Sequence, residues 1–176
     1  MKMITIYKIT HAPDCPRLVL PDDAMKVLRA PDTIERCKRW PANPVKGKLG
    51  VRGKVASDQF YFVDDSVLVL PESMLVKYDD IHWVTAYNAT AVRIEAGGTN
   101  FELIDILEAH PPDPHGQRGA PCFVDKHGSP LFRVVGDPLG IYASSGHLDP
   151  RNEFVGACQH WGLKGLIYEP VWSGEI

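Results

Sequence analysis

The sequence lacks what zinc, phosphate loops and membranes require. Its four cysteines, at 15, 37, 122 and 158, are nowhere closer than 22 residues, whereas zinc ligands usually arrive as close pairs. With no secretion signal ahead of them they read as free, mostly buried thiols in a reducing compartment. No apolar run approaches the ~20 residues that span a bilayer. The opening Met1-Lys2-Met3-Ile4-Thr5-Ile6-Tyr7-Lys8 is too short in apolar residues for a signal peptide and reads as a strand. Neither GxxxxGK[ST] nor GxGxxG occurs, and the glycines of 47–54 follow the order of neither motif. These absences predict a soluble, cytoplasmic protein with no membrane contact.

Long stretches without proline are scarce as well. Only 45–70, 72–110 and 151–169 exceed 18 residues, which excludes a helical bundle, since interior proline breaks helices. With 44% hydrophobic residues among 176, the chain can bury a core and is one domain in size. Ile4 to Ile9 alternates as a strand, and Arg17 to Leu20 is a short second one. Asp22 is expected to cap a short helix that Pro31 stops, with another turn or two from Asp32 or Thr33 to Trp40. The Pro/Gly punctuation of 41–54 reads as a loop.

From there strand signals dominate. Phe60-Tyr61-Phe62-Val63 and Ser66-Val67-Leu68-Val69-Leu70 flank an Asp64-Asp65 turn. His82 to Tyr87 and Thr90 to Glu95 read as strands, the latter turning at Gly97-Gly98. Phe101 to Leu107, Leu131 to Val135, Ile141 to Ala143 and Leu163 to Tyr168 complete the set, the last stopped by Pro170. The best helix signal runs over about 150–161. There Asp149 is the N-cap, Pro150 the first residue and Gly162 the end, and Phe154, Cys158 and Trp161 line an inner face. The expected architecture is a single α+β domain over 1–176. It has a mostly antiparallel sheet and a few short helices, one near the C-terminus, and 1–54 forms a looser basic subregion.

The formal charge of −3 hides an asymmetry: residues 1–54 carry net +7, 55–113 net −9 and 114–176 net −1. Opposite segments of this kind either meet in the fold or mark a partner. Arg36, Lys38, Arg39, Lys46, Lys48, Arg52 and Lys54 fall within 19 residues that contain no acid, with Trp40 among them. A single-strand nucleic-acid binder uses such residues, but the acidic neighbour would repel a polyanion, so nucleic acid is an unfavoured partner.

Catalytic patterns are weak throughout. His110, Asp113 and His115, with Asp125 and His127 nearby, could ligate a metal in a hydrolase, but they share one proline-rich loop without helical spacing. Ser144-Ser145-Gly146-His147 lacks the glycine before serine that a nucleophile elbow needs. Cys158 and His160, two apart on a helix, face different ways. No catalytic residue, metal or cofactor is expected.

Three pieces of the C-terminal part resemble a known family. They are the aromatic-led strand Phe101-Glu102-Leu103-Ile104-Asp105-Ile106-Leu107, the pair Leu131-Phe132-Arg133-Val134 and Ile141-Tyr142-Ala143-Ser144, and a helix ending in Gly162-Leu163-Lys164-Gly165-Leu166 before Glu169-Pro170-Val171-Trp172. Together they are similar to the C-terminal part of the bacterial immunity-protein family numbered eleven in polymorphic-toxin systems. Its members neutralise toxins delivered between competing bacteria. The resemblance covers residues 101–172 and implies a cytoplasmic, non-enzymatic protein whose partner is one cognate toxin, bound stoichiometrically. Toxins that act on anionic substrates have basic clefts, which carboxylates can occupy. The turns around 64–65 and 78–83 are therefore the expected toxin-facing surface. Asp64, Asp65, Asp79 and Asp80 would supply charge, and Tyr78 and Trp83 aromatic anchors. Two alternatives are a nucleic-acid-binding or regulatory module using 36–54 and a metal-dependent hydrolase using the 110–127 loop.

Overall fold

The computed structural model describes residues 2–29, 38–50, 55–85, 89–104, 109–110, 131–134, 137–146 and 148–175; of 82–84, 89–91, 109–110 and 138 only the backbone is described. In chain order the elements are β1 (Met3–His11), β2 (Leu18–Val19), α1 (Asp22–Leu28), β3 (Val45–Lys46), β4 (Lys48–Leu49), β5 (Tyr61–Phe62) and β6 (Leu68–Pro71). Then come α2 (Glu72–Lys77), α3 (Asp79–Thr85), β7 (Ala89–Ala96), β8 (Thr99–Ile104), β9 (Ala109–His110), β10 (Phe132–Val134) and β11 (Asp137–Ser145). A 3₁₀ turn (Pro150–Asn152), α4 (Phe154–His160) and β12 (Leu166–Glu175) close the described chain. The class is α+β, with mostly antiparallel pairing, as the sequence predicts.

Two five-stranded sheets carry the fold, in the orders β12-β1-β11-β10-β9 and β3-β7-β8-β6-β5, with β2 and β4 forming a separate ribbon. Among the described strands only β9 with β10 and β3 with β7 run parallel. β1 lies inside its sheet, antiparallel to both β11 and β12. Side chains alternate across a strand, so Ile4 and Ile6 join one cluster with Phe132 and Tyr142, while Ile9 joins another on the opposite face. The second sheet is covered on both faces in the same way. Phe60, Phe62, Leu68 and Leu70 point to the first sheet and to α2–α4, while Tyr61, Val69, Phe101 and Leu103 point to α1 and the ribbon. This double burial explains the unbroken apolar runs at 60–63 and 67–70. Each fully buried large side chain contributes roughly 1.5–3 kcal/mol.

The two sheets meet along a backbone seam. Phe60 N–H donates to the Lys164 carbonyl at 2.9 Å, Lys164 N–H to the Asp58 carbonyl at 2.9 Å, and Ala12 N–H to the Gly165 carbonyl at 3.0 Å. Gly165 makes this possible. Its φ is +94°, and a Cβ there would lie 2.2 Å from the Phe60 carbonyl oxygen.

Several local expectations are corrected. His82 to Tyr87 is not a strand: its described part, to Thr85, lies in α3, with 86–88 outside the described residues. The β propensity of the segment yields to packing, because Ile81 and Thr85 stand one helical turn apart and are both buried. The 41–54 loop contains β3 and β4. Asp22 does not cap α1, since Pro21 occupies that position and Asp22 is already helical. Asp149 caps the 3₁₀ turn through Arg151 N–H at 3.0 Å, and α4 begins only after Glu153. Pro170 does not stop the last strand. β12 is an edge strand, where a missing donor is tolerated, and its register against β1 shifts at that point. Within α4, Phe154 and Cys158 are buried as expected, but Trp161 is not: it is 41% exposed. The helix ends at His160 and the chain turns through Gly162 at φ +62°, so the helical spacing no longer governs residue 161.

Glu153 ties α4 to the end of β11. Its carboxylate is almost fully buried and accepts from Gly146 N–H, Leu148 N–H at 2.9 Å and Ser145 Oγ at 3.1 Å. Glu153→Ala strands these donors, and the expected loss of about 2 kcal/mol is measured as a lower urea midpoint with an unchanged m-value.

Candidate docking surface

The acids of 55–113 divide by what they touch. Lys46 pairs with Glu95 directly opposite it in the β3–β7 ladder. Arg93 pairs with Glu72 at 2.9 Å and with Glu102 at 3.1 Å, and Lys164 reaches Asp58 at 3.6 Å. Part of the charge asymmetry is thus neutralised inside the fold. Trp40 is half-buried against the second sheet's core and donates its Nε1–H to the Arg93 carbonyl at 3.3 Å. Its indole is committed to packing and is no stacking platform. Arg36, Arg52 and Lys54 lie outside the described residues.

The turn after β5 is held by its own residues. Asp64 accepts from Ser66 N–H and Ser66 Oγ, both at 2.8 Å, which closes an Asx turn. Asp65 pairs with Arg17 at 2.5 Å, so its internal partner comes from the β1–β2 connection and not from 36–54. Arg133 fastens the turn to the first sheet by donating to the Ser66 carbonyl at 2.6 Å and the Leu139 carbonyl at 2.8 Å.

A cleft of about 280 Å³ opens beside this turn, lined among others by Lys8, His11, Asp65, Asp137 and Leu139. Asp137 accepts from Lys8 at 2.6 Å, Tyr142 OH at 2.8 Å and Gly140 N–H at 3.1 Å. The bond from Lys8, then that from Tyr142, holds its carboxyl below the usual range, while the same partner raises the Lys8 ammonium. These three donors engage the Asp137 carboxylate. Among the described residues no group of three His, Cys, Asp or Glu could hold a metal.

The other expected turn is a corner where the end of α2, the start of α3 and the end of α4 meet. Tyr78 separates α2 from α3 and is only 6% exposed, packed in the core shared by the two sheets. As a surface anchor it is therefore corrected: the phenol ring belongs to the core. Trp161 covers it, with ring centroids 5.1 Å apart and planes tilted by 46°. The His160 ring stands edge-on to the indole at 4.9 Å. The indole Nε1–H donates to Asp80 Oδ2 at 3.2 Å, which fixes its orientation. Lys77 Nζ lies 4.9 Å above the Tyr78 ring, a cation–π contact. Asp79 is exposed in the first turn of α3. Trp83 lies on α3, and its side chain is outside the described residues.

Neither Asp79 nor Asp80 has an ion-pair partner among the described residues, whereas Asp58, Asp65, Glu72, Glu95 and Glu102 each have one. Sequence reasoning named these two acids, and placed Trp161 on the inner face of the helix where the structure exposes it. The signal available for Trp161 was Gly162, which ends the helix just after it.

Among the described residues the remaining catalytic candidates do not assemble. Ser145 is engaged with Glu153, Cys158 is buried with its thiol pushed up to about 12 by desolvation, and His160 sits against Trp161. His115, His127, His147, Asp113 and Asp125 lie outside the described residues, and of His110 only the backbone is described. Among the described residues no helix is long and apolar enough to cross a membrane. No protein-family model matches the chain, and no curated protein matches it.

His11 ends β1 with its ring edge-on to Phe62 at 5.5 Å and its Nε2 buried without a hydrogen-bond partner among the described residues. Burial, then the nearby Arg17 charge, lowers its pKa from the ordinary 6.5. The fold therefore excludes a proton that the unfolded chain binds, and stability should fall as pH drops below about 6.5 until the folded state titrates too. Urea unfolding between pH 7.5 and 5 should show a smaller loss for His11→Gln than for the unsubstituted protein.

Proposed function

We propose that this protein is a cytoplasmic immunity protein that binds one cognate toxin and blocks it stoichiometrically, without catalysis. The observation that carries the reading is the corner at Asp79, Asp80 and Trp161. There, Asp79 and Asp80 have no ion pair among the described residues, and Asp80 holds the exposed Trp161 indole. A surface of this kind suits recognition of a basic protein face, because unneutralised charge steers encounter and an oriented aromatic loses little freedom on binding. The resemblance of residues 101–172 to the immunity family supports the same reading. Its pieces fall on β8, β10, β11, α4 and β12, so the family-like part supplies α4 and Trp161, the residue that follows it.

The nucleic-acid reading is weakened by the engaged Trp40 and Lys46. A metal-dependent hydrolase would rest on the 110–127 loop, which supplies no described side chain to support it.

The test is co-expression with the product of the adjacent reading frame. The protein should form a one-to-one complex with that product and restore growth. The double charge reversal Asp79→Lys/Asp80→Lys should slow association about tenfold at low salt, with the thermal midpoint little changed. Binding of heparin with a steep salt dependence, and no complex with the neighbouring product, would favour the nucleic-acid reading instead.

A further inference from the structure

A titratable ring sits at the joint between the two sheets, beside the cleft. We propose that His11 is a pH-sensitive latch: protonation turns its imidazole out of the contact with Phe62 and into the cleft, where the Asp65 carboxylate accepts from it in exchange for Arg17. The latch does not rest on the toxin-binding reading. His11 is the last residue of β1, in the first sheet, and its ring stands edge-on to Phe62 of β5, in the second, at 5.5 Å. Its Nε2 is buried and has no hydrogen-bond partner among the described residues. A neutral ring tolerates that position at the cost of one unmade bond. An imidazolium must donate from both nitrogens, and Nε2 has no acceptor there.

The surroundings supply both the room and the acceptor. The β1–β11 ladder ends at Ile9 and Ile141. Beyond it the cleft of about 280 Å³ opens, lined by Thr10 and His11 of β1 and by Leu139 and Gly140 of β11. Asp65 lines the same cleft from the β5–β6 turn and holds Arg17 of the β1–β2 connection at 2.5 Å. The Asp65 side chain is 87% exposed, so little energy opposes a change of partner. The other groups around the ring do not compete. Lys8 and Asp137 pair with each other at 2.6 Å, and Leu166, opposite His11 in β12, is apolar. Burial raises the Cys15 thiol, which stays neutral. Burial and then Arg17 disfavour a proton on the inward ring, while the Pro16 and Cys15 carbonyls and Asp65 favour one. Moving the imidazolium to Asp65 relieves the burial and removes Arg17 from its side. Acid thus loosens the joint at the β1–β2 connection and leaves the cores closed.

Heteronuclear NMR of the full chain between pH 7.5 and 5 tests the latch. The NOE between the His11 and Phe62 rings, present at pH 7.5, should vanish as the His11 ring titrates. The amides of 12–17 and 64–66 should shift with the same midpoint, while those of 68–71 and 101–104 stay in place. Hydrogen exchange over 12–17 and 64–66, corrected for the intrinsic rate, should accelerate by up to about tenfold per pH unit below about 6.5, since the open arrangement binds one more proton. Asp65→Asn should move the midpoint to lower pH, because the outward ring loses its acceptor. His11→Gln should leave 12–17 and 64–66 unchanged across the range. A ring still neutral at pH 5, an NOE that survives the titration, the same shifts in His11→Gln, or a midpoint unmoved by Asp65→Asn overturns the proposal. So does loss of the far-UV circular dichroism in step with the His11 titration, since that is global unfolding and not a latch.

Discussion

The fold depends on one close approach of backbone to backbone, that of Gly165 to Phe60. The turn leaving α4 must pass against the strand entering β5 so tightly that a Cβ would overlap the Phe60 carbonyl. Only glycine tolerates both that contact and the positive φ. The hydrogen bonds along this seam join β1's sheet, through β12, to the second sheet. The shared core of Ile9, Phe60, Leu68, Ile141 and Phe154 can then close between them. Because α4 lies directly upstream of the seam, the same constraint sets where Trp161 emerges.

Charge follows from this arrangement. The second sheet pairs the charges it carries, where Arg93 and Lys46 meet Glu72, Glu102 and Glu95. These pairs are surface or half-buried and contribute little stability each. Their consequence is selective: they consume the acids near the sheet and leave Asp79 and Asp80, on a helix beyond it, without a basic partner among the described residues. Net charge along the chain therefore overstates the acidic surface, and the corner of Asp79 and Asp80 is the part of it on which the proposed recognition rests.

Much of the fold was legible in the sequence, because alternation and glycine placement are local signals. β1, the β5–β6 turn, the Gly97-Gly98 hairpin and the buried face of α4 all follow from them. What was not legible depends on tertiary contact. His82 to Thr85 favours a strand by composition and becomes a helix because Ile81 and Thr85 must both face inward. Pro170 looks like a stop and is admitted because its strand is at an edge. Of the candidate surface, Asp79 and Asp80 were named from segment charge and an expected turn, and the structure places them in the first turn of α3. Tyr78 and Trp161 exchanged roles, since burial depends on where a helix ends and not only on its period.

The central claim is that the corner formed by α2, α3 and α4 is the surface that meets the partner. Hydrogen–deuterium exchange, compared for the free protein and its complex with the product of the adjacent reading frame, tests it most directly. The account predicts slowed exchange over 76–85 and 158–162, with 43–50 and 166–175 unchanged. Protection confined to 43–50 or to the edge strand β12, with the corner exchanging as in the free protein, would contradict it.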